Sequence, residues 1–186
     1  PTARDFSYLG PLSHSPTSRI ATLNYDKGVE DTFAARNVPL ETGIGRWAGG
    51  FHWPDSTAYH QLLKLHGSID WHAVTGDELM GLVSPGAPTY DVRPFDAEAF
   101  WSPGLIFGAG NKLRADGPFL AMLVQFSTWL DSARRLVVCG YSFRDDHINQ
   151  AIITWSCSNP GVEIVVIDPS FPVISGRGDP GEVAPL

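Results

Sequence analysis

The sequence predicts an α/β fold, a mostly parallel sheet with helices on both faces. Three observations lead there. Leu136-Val137-Val138-Cys139 and Ile164-Val165-Val166-Ile167 are short unbroken apolar runs, the pattern of strands buried on both faces. Between them Ile148, Ala151, Ile152 and Trp155 recur at helical spacing, giving a strand–helix–strand unit with an expected right-handed crossover. Two earlier segments, Ile20-Ala21-Thr22-Leu23 and Gln61-Leu62-Leu63-Lys64-Leu65, also run into polar clusters, as strands do at the rim of an open sheet.

Taken in order, residues 1–18 are rich in Pro, Ser and Gly and are expected to be irregular. The strand at 20–23 leads through Asn24-Tyr25-Asp26 into a helix over 27–36, on which Val29 and Phe33 share a face. Asn24 and Asp26 thus fall at a strand-to-helix junction, where accepting the free N–H groups of the helix is their simplest role. Residues 39–55 form a loop bearing Gly, Pro and Trp. The next strand closes on His66-Gly67-Ser68-Ile69-Asp70-Trp71 and places His66 at a carboxyl rim, although a lone histidine is more commonly a turn residue. Four prolines and little periodicity across 72–103 suggest a loop or insertion, serving as a lid or an assembly surface.

Leu105-Ile106-Phe107-Gly108-Ala109-Gly110 reads as a strand with a glycine-rich exit. The best helix spans 119–135, with Phe119, Met122, Leu123, Phe126, Trp129 and Leu130 as its buried stripe and Arg134-Arg135 capping its end. After Cys139, Gly140 lets the chain turn and a ligand approach where a Cβ would block it. Ser142, Asp145 or Asp146 could cap the helix that follows, which ends before Asn159-Pro160-Gly161. That helix N-terminus offers N–H groups to phosphate, and Asp168, closing the last strand, can accept hydrogen bonds from a ribose. Gly-x-Ser falls short of the full dinucleotide fingerprint, so a structural strand–helix–strand unit with Asp168 as a turn residue stays open on these residues alone. The expected organisation is an irregular segment at 1–19, one domain at 20–170 and an extended Pro/Gly-rich tail at 171–186.

Composition narrows the partners. With 20 acidic against 13 basic residues the net charge is −7, which leaves no basic footprint for nucleic acid. A phosphate-bearing ligand would have to be held by backbone N–H groups. The apolar fraction of 43% is that of an ordinary globular chain, and no apolar run approaches the roughly 20 residues of a membrane span. Cys139 and Cys157 are the two cysteines, and they imply neither a disulfide framework nor a zinc cluster. The six histidines show no ligand spacing, so no metal is expected. The first residues carry no signal-peptide pattern, and a reducing cytoplasm is the expected compartment.

Thr22-Leu23-Asn24-Tyr25-Asp26 resembles the Thr-Gln-Asn-Ile-Asp motif of sirtuins, and Leu63-Lys64-Leu65-His66-Gly67-Ser68 resembles their Glu-Leu-His-Gly-Ser segment, which carries the catalytic histidine. Val138-Cys139-Gly140-Tyr141-Ser142 falls where that family has Gly-Thr-Ser, and Ile164 to Asp168 where a late strand ends on the adenosine ribose. Tyr141-Ser142-Phe143-Arg144-Asp145-Asp146-His147-Ile148-Asn149 is more similar still to the sirtuin-like, NAD-consuming domains of bacterial anti-phage defence proteins. The resemblance covers about residues 20–170 and implies a Rossmann-like fold. Two family features are missing. The 72–103 region lacks the four cysteines of the zinc module, which weakens a deacylase reading. Nothing before Ile20 matches the Gly-Ala-Gly-x-Ser pyrophosphate loop, so the chain is expected to be part of a larger protein.

The resemblance implies an NAD glycohydrolase acting in a defence system. Asn24 would orient the attacking water and touch the nicotinamide ribose, and His66 would accept a proton from a ribose hydroxyl or the water. Asp26 would help to hold the carboxamide, and Thr22 would be a further NAD-binding residue. Gly140, Ser142 and Asp168 would bind the adenosine half, with Tyr141, Asp145 and Asn149 beside them. NAD is the substrate and no metal is required. A homo-oligomer or a complex with a partner defence protein is expected, with no membrane and no direct nucleic-acid contact. The alternatives are a non-catalytic NAD or ADP-ribose sensor or assembly module, and an NAD-dependent protein deacylase.

Overall fold

The computed structural model describes residues 6–74, 89–92, 102–105 and 118–168. The fold is α/β, and the chain divides into two compact units, residues 1–132 and 133–186.

In the first unit a 3₁₀ helix, Ser7–His14, precedes strand β1 (Ser18–Thr22) and helix α1 (Gly28–Ala34). A 3₁₀ turn at Ile44–Arg46 leads to β2 (His60–Lys64), which pairs with β1 in parallel, Ile20 opposite Leu62 and Thr22 opposite Lys64. A two-residue turn, Leu65-His66, follows, and Gly67 beyond it takes φ 90°, a backbone open to glycine. Strand β3 (Gly67–Val74) follows and pairs antiparallel with both β4 (Thr89–Val92) and β5 (Ser102–Leu105), in the order β4-β3-β5. Helix α2 (Phe119–Asp131) buries Phe119, Met122, Phe126, Trp129 and Leu130, a stripe at the three- and four-residue steps of one helix face. With Phe33, Ile44, Leu62, Leu63 and Trp71 these residues form the core. Arg19 of β1 donates to the Ser132 hydroxyl at 2.6 Å, and its guanidinium stands 6.0 Å from the Trp129 ring.

The second unit is the expected strand–helix–strand motif. Strand β6 (Arg135–Cys139), helix α3 (Asp146–Ser158) and β7 (Glu163–Ile167) run in sequence, and the strands pair in parallel with Val137 opposite Val165. Helix α3 buries Ile148, Ile152 and Trp155. Asn159 closes it, its backbone N–H and its side-chain amide both donating to the Trp155 carbonyl.

Several expectations need correction. Among the described residues the strands pair as two parallel pairs and one antiparallel three-stranded sheet, and the antiparallel sheet was not part of the expected mostly parallel arrangement. The 72–103 stretch is not all loop, because it holds the end of β3, all of β4 and the start of β5. Proline hid this: Pro103 lies on β5, an edge of its sheet, where a missing N–H can be tolerated. Residues 7–14 are helical rather than irregular, and Arg36 donates to the Gly10 carbonyl at 2.7 Å and the Ser13 hydroxyl at 3.0 Å. Arg135 caps no helix; it opens β6 and donates to Glu163 at 2.6 Å. Nor are β6 and β7 buried on both faces. Val138 is 7% exposed, but Val137 and Ile167 on the other face are 55% and 54% exposed. In β6 the side chains alternate, so covering one face leaves every second residue open. The strand expected at 105–110 is described only to Leu105, and the tail lies outside the described residues.

Candidate functional site

The site in the first unit starts from strand register. Because Thr22 lies opposite Lys64, Asn24 and His66 each follow a paired residue by two positions at the carboxyl ends of β1 and β2. Two backbone hydrogen bonds join the same two segments at and beyond the strand ends, with the register shifted by one residue between them. The Leu65 N–H donates to the Thr22 carbonyl and the Ile69 N–H to the Tyr25 carbonyl, each at 2.9 Å. Thr22 turns its hydroxyl back to accept the Asn24 N–H at 3.1 Å, and the Asn24 side chain is exposed. Asp26 accepts the Gly28 N–H at 2.9 Å, the helix-opening role expected at this junction. His66 is 5% exposed, with its ring 6.3 Å from that of Tyr25.

Beneath these residues lies a side chain that the sequence reading passed over. Lys64 is fully buried. Its ammonium donates to the Asp26 carbonyl at 2.6 Å, to Glu30 Oε1 at 2.7 Å and to the Ser68 hydroxyl at 2.7 Å. Three donors thus meet three acceptors, two from the segment that follows Asn24 and one from the segment that follows His66. Ser68 in turn donates to Asp70 Oδ1 at 2.5 Å, and Asp70 Oδ2 stands 3.2 Å from the Lys27 ammonium. Burial pulls the Lys27 pKa down, but the hydrogen bond and charge of Asp70, helped by Asp31 and Glu30, outweigh it and the net shift is upward. The available signal was a lysine between two leucines in an otherwise apolar strand, four residues before a serine.

The second unit positions the other set of residues. Gly140 leaves β6 at φ 63° and donates its N–H to the Ile167 carbonyl at 3.0 Å, so the turn lies beside the end of β7, one residue before Asp168. The Tyr141 hydroxyl is 2.9 Å from Asn149 Oδ1 and 3.2 Å from the Asp145 carbonyl, and it accepts the Asp145 N–H at 3.3 Å. Asn149 donates to the Phe143 carbonyl at 2.8 Å, holding Phe143 at φ 55°, a left-handed backbone that side chains larger than glycine rarely adopt. Burial, reinforced by the charges of Asp145 and Asp146, pushes the Tyr141 phenol up to about 12, while its bond to the Asp145 backbone works against the shift. Asp145 takes the N-cap position of α3 without a side-chain cap, and its carbonyl accepts the Ile148 and Asn149 N–H groups. Tyr141, Asp145 and Asn149 therefore use polar groups to brace the loop. Ser142 is exposed and Asp168 half-buried.

Of the ten residues singled out from the sequence, Thr22, Asn24, Asp26 and His66 belong to the first unit and the other six to the second. Among the described residues no three His, Cys, Asp or Glu side chains converge as a metal site would need. No helix among them is long and apolar enough to cross a membrane. No protein-family model matches the chain, and no curated protein matches it either.

Proposed function

We propose that this chain carries a Rossmann-like NAD glycohydrolase domain, which cleaves NAD⁺ to nicotinamide and ADP-ribose. The observation that carries the reading is the parallel register of β1 and β2, which sets Asn24 and His66 at equivalent positions beyond neighbouring strand ends. Hydrolysis breaks the bond between the nicotinamide nitrogen and ribose C1′, and its electron pair leaves with nicotinamide. A water oxygen bonds to C1′, and one proton must be taken up. Asn24, with its backbone N–H held by Thr22 and its side chain exposed, is assigned to orient that water. His66 is assigned as the proton acceptor, a role worth about 10²–10⁴-fold in rate. Asp26 is assigned to the carboxamide of nicotinamide, and Thr22 is a further NAD-binding residue.

For the adenosine half the reading uses backbone rather than charge. The Gly140 turn precedes the N-terminus of α3, and Asp168 follows β7 at the same end of its strand pair. Those features support anion binding and ribose binding respectively. On the sequence resemblance we further assign the domain to the cytoplasmic effector of a prokaryotic anti-phage system, working as an oligomer or with a partner defence protein.

The test is NAD consumption by the whole protein, with Asn24→Ala and His66→Ala alongside. Nicotinamide and ADP-ribose should appear with the wild type and fall by about 10²-fold or more in either variant. NAD binding without product under any condition would instead favour a sensor of NAD or ADP-ribose.

A further inference from the structure

We propose that Lys64 is a positioning residue for this cleavage: its buried ammonium clamps the Tyr25–Asp26 segment to the Ser68–Asp70 segment and so fixes Asn24 relative to His66. The inference rests on the NAD-cleaving reading above.

The argument begins with cost. Removing an ammonium from water is expensive, and an apolar side chain of the same volume at a buried ion pair is often neutral or stabilising. Stability alone therefore gives a weak reason for a lysine at a fully buried position between Leu63 and Leu65. Geometry gives a stronger one. The three close acceptors of the ammonium are the Asp26 carbonyl, Glu30 Oε1 and Ser68 Oγ. The first lies two residues beyond Asn24 and the third two residues beyond His66. A fourth, longer contact reaches the Tyr25 carbonyl at 3.5 Å, directly after Asn24. That same carbonyl accepts the Ile69 N–H, so the clamp and the backbone bond meet on one atom. Ser68 passes the restraint to Asp70, and Asp70 returns it to Lys27 on the Asn24 side. The two chain segments are thereby joined through a closed polar circuit. A Met side chain would fill the space and make none of these bonds.

Glu30 is what separates positioning from stability. Its Oε1 is paired with Lys64, and its Oε2 is buried without a hydrogen-bond partner. Lys64→Met therefore strands a carboxylate, and Glu30→Gln relieves that penalty without restoring the clamp. The experiment compares wild type, Lys64→Met and the double variant Lys64→Met/Glu30→Gln. It reads Tm, the NAD dissociation constant, kcat and amide hydrogen exchange at Ile69. The single variant should lose about 10 °C in Tm, much of which returns in the double. In the double, kcat should stay depressed by about 10²-fold while NAD affinity stays close to the wild type's, because misplacing a reacting group costs rate rather than binding. Exchange at Ile69 should be faster than in the wild type. Recovery of kcat together with Tm would overturn the proposal, as would unchanged exchange at Ile69. A wild type that cleaves no NAD sinks the glycohydrolase reading, and catalytic positioning with it, while the exchange measurement still reports whether the clamp exists.

Discussion

Among single residues, the largest effects should come from groups whose polar atoms are fully committed. Breaking the Lys64–Glu30 pair from one side by Lys64→Met should cost about 3–5 kcal/mol, measured by chemical denaturation, because the carboxylate left behind is mostly buried. Tyr141 gives a pH-dependent counterpart. Its phenol holds the proton more tightly folded, near 12, than at its ordinary value of 10.0. Its stabilising contribution is therefore complete below pH 10 and is lost as pH rises through about 12. A tyrosinate absorbance titration should show a late-ionising component, and Tyr141→Phe should remove that component and flatten the alkaline loss of stability. Asn24 and His66 were legible in the sequence because they stand in short motifs at strand ends. Lys64 was not, because strand alternation gives a lysine an outward face by default. Its burial depends on Asp26, Glu30 and Ser68 arriving from elsewhere in the chain.

For the elements, one turn in each unit depends on a glycine at positive φ. Gly67 at φ 90° follows His66 directly, so Gly67→Ala should cost about 1–2 kcal/mol and also disturb NAD cleavage. Gly140 at φ 63° has open space where a Cβ would stand. Gly140→Ala should therefore cost about the same 1–2 kcal/mol from backbone strain, while calorimetry should show a much larger loss of ADP-ribose affinity from the blocked approach. Helices α2 and α3 were readable because their buried stripes keep the 3.6-residue period. Strands β4 and β5 were not, since each is four residues long and β5 carries a proline, which leaves no periodicity to detect. The apolar runs of β6 and β7 identified strands correctly but overstated their burial. An unbroken run shows that both faces are apolar without showing that both are covered.

For the molecule as a whole, charge sets the expectation. A chain of net charge −7 repels an anionic dinucleotide, and the proposed adenosine contacts are backbone N–H groups rather than lysines. Raising ionic strength from low to roughly physiological should leave NAD affinity unchanged or improve it, since salt screens the repulsion. A steep loss of affinity would point to a cationic site instead. The α/β class was legible because short apolar runs alternate with stretches of helical period along the sequence. The division into two parallel pairs and an antiparallel sheet was not, because it depends on which strands find each other across the chain.

The closed circuit around Lys64 also bears on how such a sequence can drift. Ammonium, hydroxyl and carboxylates alternate from Glu30 through Lys64, Ser68 and Asp70 to Lys27, so a change at one member leaves its neighbour uncompensated. A step costing about 3–5 kcal/mol removes much of a typical domain's roughly 5–15 kcal/mol margin. Lineages descended from this chain should therefore replace Lys64 and Glu30 as a pair, through a permissive change elsewhere, or retain both.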